Sequence, residues 1–91
     1  MIIFNLYSFR GDFAMEFEIN LTSVKDVQDF VALATSRPFP VTVGNARHRV
    51  NGKNFMEMFC LDFTRPLVAA AQCSEEEFLA FRQDVQRFLT Q

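Results

Sequence analysis

The hydrophobic pattern along the chain becomes regular at Met15. In MEFEINL, residues 15–21, apolar residues alternate with Glu and Asn. An alternation of period two is typical of a β-strand with one face buried and the other in water. We therefore predict a half-buried strand over this segment.

A helical period replaces the alternation in TSVKDVQDFVALATS, residues 22–36. Apolar residues recur every three or four positions and predict one buried helix face. That face is made of Val24, Val27, Phe30, Val31 and Ala34. Ser23 is the predicted N-cap, and the carboxylate of Asp26 suits the positive end of the helix. The prolines of RPFP, residues 37–40, end the helix because proline lacks a donor and disfavours helical geometry in the preceding residue.

A hairpin and a short helix are predicted next. The alternating VTV precedes Gly44-Asn45, which provides the positive-φ residues of a tight turn, and residues 46–50 form the returning strand. Asn51 is the predicted N-cap of a short helix over residues 53–61. Its buried side chains are expected to be Phe55, Met56, Phe59 and Cys60.

The last two elements are a strand and a helix. LVAAAQC, residues 67–73, is a short apolar strand, and SEEE is a capping box with Ser74 as N-cap and Glu77 at the third helical position. The apolar stripe of this helix is made of Phe78, Phe81, Val85, Phe88 and Leu89. The predicted order is β-α-β-β-α-β-α, an α+β sandwich with three helices on one face of a four-stranded antiparallel sheet.

Residues 1–14, MIIFNLYSFRGDFA, fit no element of that order and form an N-terminal extension to a domain over residues 15–91. Two interpretations are open: an extra edge strand, or leader sequence translated ahead of a true start at Met15. The Arg-Gly-Asp triplet in this segment can be encoded by AGG-GGA-GAT, which resembles a bacterial ribosome-binding site. The intact mass of protein expressed from its native upstream DNA distinguishes them, since a product that retains Met1 or Ile2 excludes a start at Met15.

Size and composition place the chain among small globular domains. Its 91 residues, 49% of them hydrophobic, are enough for one compact domain. No stretch is long enough to span a membrane, and the N-terminus is not typical of a signal peptide. The formal net charge of −2 argues against a nucleic-acid binder. Cys60 and Cys73 are expected to be reduced, buried thiols, which favours a cytoplasmic location.

The sequence offers no set of catalytic or metal-binding residues, and we predict neither an enzyme nor a cofactor. Two Cys and one His do not supply a metal site. Ser23 and Ser74 are explained as helix caps, and His48, the only histidine, is expected on the surface of the hairpin.

One local chemical feature is basic. Its members are Arg47, His48, Arg49 and Lys53, with Arg37 expected nearby. This cluster is suited to receive a phosphate or an acidic protein surface. On an acidic chain a protein-binding edge is preferred to a nucleic-acid one, and a solvated face without a partner is the equal alternative.

The element order and the run RVNGKNFMEMFCL, residues 49–61, resemble HPr, the histidine-containing phosphocarrier of the bacterial sugar phosphotransferase system. That family has an open-faced β-sandwich of the same order. Its second helix typically opens K-S-I-M-G-V-M-S-L, where this chain has KNFMEMFCL. The resemblance extends over residues 15–89 and implies the HPr-like fold.

Both phosphorylation sites of that family are changed in this chain. In HPr the active loop G-[IL]-H-x-R-P-A begins the first helix, and its histidine takes phosphate from the phosphoenolpyruvate-dependent first enzyme. Here Ser23 lies at the histidine position, Lys25 at the arginine and Asp26 at the proline. The serine that a kinase modifies in many Gram-positive members follows the lysine of the second helix. Here Lys53 matches that lysine, but the serine position holds Asn54, which has no hydroxyl group.

The resemblance therefore implies a degenerate HPr-like protein that acts by binding other proteins. In HPr the surface around the first two helices docks onto enzymes and transcriptional regulators. The same region here, with the hairpin beside it, offers Val24, Val27, Arg47, Arg49, Lys53, Phe55 and Met56. Expected partners are phosphotransferase enzymes or a transcriptional regulator. Two alternatives stay open: an active phosphocarrier that uses His48 or Ser23, and a small nucleic-acid-binding module that uses Arg47, Arg49 and Lys53.

Overall fold

The computed structural model describes residues 6–9 and 12–90, with side chains over residues 15–90. Over these residues the elements are β1 (Leu6–Phe9), β2 (Asp12–Ile19), α1 (Val24–Thr35), β3 (Val41–Gly44), β4 (Arg49–Asn51), α2 (Phe55–Met58), β5 (Leu67–Gln72), α3 (Glu75–Asp84) and a 3₁₀ turn (Gln86–Phe88). From β2 onward the order is β-α-β-β-α-β-α, so the predicted α+β class and element order are confirmed.

The strands form one antiparallel sheet in the order β1-β2-β5-β3-β4. The predicted alternation of β2 is confirmed: Met15, Phe17 and Ile19 are buried, whereas Glu18 is exposed. The ring of Phe17 lies 5.6 Å from the ring of Phe78, which places α3 on the buried face of the sheet. The opposite face carries Glu and other polar side chains, as expected of an open-faced sandwich.

Phenylalanines fill the space between the helices and the sheet. Phe81 of α3 is fully buried, with its ring 5.9 Å from Phe17 of β2 and 6.2 Å from Phe30 of α1. Phe39, which follows α1, lies 5.8 Å from the same ring. Burial of each such side chain contributes about 1.5–3 kcal/mol, and the tilted ring pairs add to it. These ring contacts join α1 and α3 to the sheet, so the core depends on the orientation of both helices relative to the sheet.

The capping box at the start of α3 is confirmed. The backbone N–H of Glu77 donates to Ser74 Oγ at 3.2 Å, and the Ser74 N–H donates to Glu77 Oε1 at 3.1 Å. α3 ends at Asp84, before the last residues of the predicted apolar stripe, and the chain continues as the 3₁₀ turn. Leu89 is extended and bridges to Ile19 of β2, so it is not a helical residue.

The sheet has a fifth strand, which the predicted four-stranded arrangement lacks. β1 pairs with the first half of β2, with Leu6 opposite Met15 and Phe9 opposite Asp12. Leu6–Phe9 form the extra edge strand that is one of the two interpretations of the N-terminal extension. A translational start at Met15 stays a prediction. Over the described residues, no helix has the length and apolar character needed to cross a membrane.

The hairpin between β3 and β4 has a longer turn than predicted. Residues 45–48 form the turn, closed by the Asn45 N–H donating to the His48 carbonyl at 3.0 Å. Gly44 is the last residue of β3 and does not have a positive φ. A glycine is required at position 44 because a Cβ atom there would collide with the carbonyl oxygen of His48.

Candidate binding surface of the first two helices

The start of α1 is a closed network of hydrogen bonds. Ser23 is the N-cap, as predicted, and its Oγ accepts the Asp26 N–H at 3.0 Å. The Asp26 carboxylate turns back and accepts the N–H and the hydroxyl of Thr22, both at 3.0 Å. The backbone donors that an incoming anion would use at this helix end are thereby partly taken by the chain itself.

A charge network extends from Asp26 across the helix surface. Arg87 donates to Asp26 at 3.1 Å and to Asp29 at 2.7 Å, and Lys25 lies 3.3 Å from Asp29. The pKa of Asp26 is lowered, first by the backbone hydrogen bond from Thr22 and then by the Thr22 hydroxyl and Arg87, which together outweigh partial burial. Asp26 therefore carries a full negative charge at neutral pH.

Ser23, which the resemblance aligns with the HPr histidine, has a geometry unsuited to phosphate transfer. Ser23 Oγ is held by the Asp26 N–H, and no base among the described residues hydrogen-bonds to the hydroxyl. The Asp26 carboxylate lies one helical turn along and repels an incoming phosphate. A serine also forms a stable ester rather than a labile phosphohistidine, so this end of α1 has the geometry of a cap and not of a relay.

The N-cap of α2 lies three residues after the predicted one. Its N-cap is Asn54, whose Oδ1 accepts the Glu57 N–H at 3.1 Å. Asn51 instead accepts the Lys53 N–H at 2.9 Å, and its own N–H donates to Glu57 Oε1 at 3.2 Å. Asn54, which the resemblance aligns with the regulatory serine of HPr, is thus a helix cap.

Of the four side chains predicted to form the buried face of α2, Phe55 alone packs against the core. Met58 is fully buried and Leu61 nearly so, with Phe55 half-buried on the same side at a spacing of three residues. Met56 is 75% exposed and Phe59 is 43% exposed. The expectation that Met56, Phe59 and Cys60 are buried is therefore wrong, because six apolar residues in seven positions allow either side of so short a helix to face the core.

Four apolar side chains form a continuous surface on and after α2. This α2 apolar surface consists of Phe55, Met56, Phe59 and Phe63. The rings of Phe55 and Phe59 meet edge to face at 4.8 Å, and Phe59 lies 6.2 Å from Phe63. Phe55 and Phe63 also pack against the core. The exposed Phe59 ring is therefore held in place from both sides. The sequence pattern does not indicate Phe59 and Phe63 as surface residues, because Phe59 falls on the predicted buried face of α2 and Phe63 lies in the irregular loop after it.

The other predicted members of the surface have different fates. Val24, the first residue of α1, is 57% exposed and stays a candidate. Val27 is 2% exposed and belongs to the core, so its assignment to the binding surface is wrong. Lys53 is half-buried, because its Nζ donates to the Arg37 carbonyl at 2.7 Å and ties the start of α2 to the end of α1.

The predicted basic cluster is divided in the structure. The Arg37 guanidinium pairs with Asp84 and lies 5.3 Å over the ring of Phe81, so it does not join the hairpin. Arg49 lies on the open face of the sheet, where it donates to Thr42 Oγ1 at 3.2 Å. Arg47 and His48 are exposed on the hairpin turn. His48 is thus a surface residue, as predicted, and it lies on the hairpin turn and not in the first turn of α1.

The two cysteines are free, but neither is fully buried. Cys60 is exposed and Cys73 is half-buried, so the prediction of two buried thiols is wrong. The pKa of the Cys73 thiol is raised to about 11, mainly by partial burial and to a smaller extent by the negative charge of Glu77. Within the part of the chain that the structure describes, no group of three or more His, Cys, Asp or Glu residues is placed to hold a metal ion.

Comparison with known proteins adds no assignment: no protein-family model matches the chain, and no curated protein does.

Proposed function

We propose that the protein is an HPr-like domain of the bacterial cytoplasm that binds proteins through its α2 apolar surface and carries no phosphate. Two kinds of observation support this. The α+β order and the open-faced sheet agree with the fold that the resemblance implies. The residues at both of the family's phosphorylation positions, Ser23 and Asn54, serve as helix caps.

The observation that carries the proposal is the exposure of Met56 and Phe59. A folded domain of this size gains free energy by covering such side chains, and aromatic and Met side chains are enriched where proteins bind one another. The Phe59 ring is held between Phe55 and Phe63, so little side-chain freedom is lost when a partner covers it. Met56 beside it is flexible and adapts to the shape of a partner.

The proposed partners are those that dock on the same two helices of HPr: enzymes of the sugar phosphotransferase system, or a transcriptional regulator that responds to carbon supply. A domain that occupies such a partner without delivering phosphate competes with HPr. The step from surface to partner rests on analogy with the family. Binding through α2 does not depend on that analogy.

A titration tests the proposed partner directly. Isotope-labelled protein is mixed with the purified first enzyme of the phosphotransferase system from the same cell, and amide resonances are followed. We expect changes centred on residues 55–63, and we expect them to vanish in a Met56→Asp/Phe59→Asp variant. Leu79→Asp is the matched control, since Leu79 on α3 is 42% exposed against 43% for Phe59. Binding that survives the α2 substitutions, or that Leu79→Asp abolishes equally, would contradict the proposal.

A further inference from the structure

A cleft separate from the α2 apolar surface lies beside the hairpin turn. Its volume is about 460 Å³, and it lies between the turn and the loop that joins α2 to β5. The residues that line it are Asn45, Ala46, Arg47, Asp62, Arg65, Pro66 and Leu67. We call it the turn cleft. Its volume is within the range of small-ligand sites, about 300–1,000 Å³.

Two of the residues that line the turn cleft are arginines without an ion pair among the described residues. Arg47 and Arg65 are both exposed, and no carboxylate among the described residues lies within ion-pair distance of either. Arg37 and Arg87, in contrast, are both paired with aspartates. The side chains of Arg47 and Arg65 are therefore available to a ligand at the turn cleft.

A third donor in the turn cleft is held in place by the turn itself. Asn45 Oδ1 accepts the N–H groups of Arg47 and His48, at 2.8 and 2.9 Å. These two bonds fix the side-chain amide and leave its Nδ2 group without an acceptor among the described hydrogen bonds. A fixed donor binds a ligand with less loss of freedom than a mobile one.

The one carboxylate of the turn cleft is turned toward its own loop. Asp62 Oδ1 accepts the Thr64 N–H at 2.9 Å and also the Thr64 hydroxyl. These bonds, the hydroxyl first, and to a smaller extent the positive charge of Arg65 lower the pKa of Asp62, so the group keeps its single charge. The turn cleft therefore has two positive charges against one negative, on a chain whose net charge is −2.

We propose that the turn cleft binds a phosphate monoester. Guanidinium groups match the spacing of phosphate oxygens and form paired hydrogen bonds with them. Two such groups and the Asn45 amide provide donors for all three terminal oxygens of a doubly charged phosphate. A carboxylate has two oxygens and one charge, and so would satisfy only one guanidinium group. An acidic side chain in place of the phosphate would make fewer of these hydrogen bonds.

The test is a titration of isotope-labelled protein with phenyl phosphate at low ionic strength. We expect saturable shifts at Asn45, Arg47 and Arg65, with a dissociation constant of about 1 mM, as suits an exposed site. Arg47→Gln/Arg65→Gln should weaken binding at least about tenfold, because it removes both charged donor groups. Arg82→Gln is the matched control: Arg82 has no ion pair among the described residues and lies on α3.

Three results would overturn the proposal. They are the absence of saturable shifts, equal binding by the Arg47→Gln/Arg65→Gln variant, and equal binding of benzoate or hexaglutamate, which would indicate a general acidic ligand. Because both arginines are exposed, the amide spectrum of the double variant should stay that of a folded protein. The Met56→Asp/Phe59→Asp variant should bind phenyl phosphate normally, so failure here and failure of α2 docking are distinguishable.

Discussion

Arg87 Nη1 lies 3.1 Å from the Asp26 Oδ1 atom, which joins the 3₁₀ turn near the end of the chain to the first turn of α1. Asp26 stands where the HPr resemblance places the proline of the active loop. In this chain the carboxylate accepts hydrogen bonds from Thr22 and Arg87, which stabilise the folded state. The same residue therefore explains both how α1 begins and why its start is a poor site for phosphate.

Replacement of Asp26 should reveal this stabilising role. Asp26→Asn keeps one oxygen acceptor but loses the charge, and we expect the free energy of unfolding at pH 7 to fall by about 1 kcal/mol. Because the folded state lowers the pKa of Asp26, its charge stabilises the fold above the unfolded value of 3.8 and stops doing so as pH falls through the folded pKa. Urea unfolding at several pH values measures both effects.

The control for Asp26 is Glu18→Gln, which removes a charge from an exposed position on the open face of the sheet. It should change the free energy of unfolding by less than about 0.5 kcal/mol. The difference between wild type and Asp26→Asn should shrink below pH 3.8. A difference that stays constant down to pH 2 would show that the charge of Asp26 has no part in stability.

Incubation with phosphoenolpyruvate and the first enzyme of the phosphotransferase system should leave the protein unmodified. Ser23 is a helix cap with no base hydrogen-bonded to its hydroxyl, and the imidazole ring of His48, on the exposed turn, has no hydrogen bond among the described residues. Intact mass should show no gain of about 80 daltons, the mass of one phosphoryl group. Acid-labile labelling in a one-to-one ratio would contradict this, and its loss in His48→Ala or Ser23→Ala would identify the carrier.

The two thiols should differ in reactivity. Cys60 is exposed, whereas Cys73 is half-buried with a pKa raised to about 11. At pH 8 only about one thousandth of Cys73 is thiolate, the form that reacts. Iodoacetamide should modify Cys60 first, as peptide mass mapping would show, and Cys60→Ser should leave a slowly reacting protein. Faster alkylation of Cys73 would contradict the described packing.

Gly44 should tolerate substitution far less well than Gly52. A Cβ atom at Gly44 would collide with the rigid backbone of His48, whereas at Gly52 the nearest atom is a side-chain carbon of Val41 at 3.0 Å. We expect Gly44→Ala to lower the free energy of unfolding by about 2–4 kcal/mol and Gly52→Ala by about half as much or less. Thermal unfolding of the pair measures this, and equal losses would show that the turn adapts.

Long amphipathic elements could be predicted from the sequence because many positions agree on one face. In α1, Val27, Phe30 and Ala34 are all buried, and the caps Ser23 and Ser74 were identified correctly. The sheet alternation of β2 followed from the same kind of pattern. Each residue adds evidence to the others, so one exception such as the exposed Val24 does not change the prediction.

Short elements and contacts between distant residues could not be predicted in the same way. The single turn of α2 has apolar residues on all sides, and only the Asn54 cap and the packing of Met58 decide which side is buried. The pairing of Arg37 with Asp84 joins residues 47 positions apart, so nothing local indicated that Arg37 leaves the basic cluster. The exposure of Met56 therefore agrees with its place on the predicted surface, the burial of Val27 does not, and binding through α2 stays a prediction.

Capture of partners from the native cell tests the central claim most directly. Tagged wild type, Met56→Asp/Phe59→Asp and Leu79→Asp proteins are used in parallel, and bound proteins are identified and quantified by mass spectrometry. We expect wild type and Leu79→Asp to recover phosphotransferase enzymes or a carbon-responsive regulator. Recovery by Met56→Asp/Phe59→Asp should be at least tenfold lower, which corresponds to a loss of about 1.4 kcal/mol in binding free energy. Equal recovery by all three proteins, or recovery of unrelated proteins alone, would contradict it.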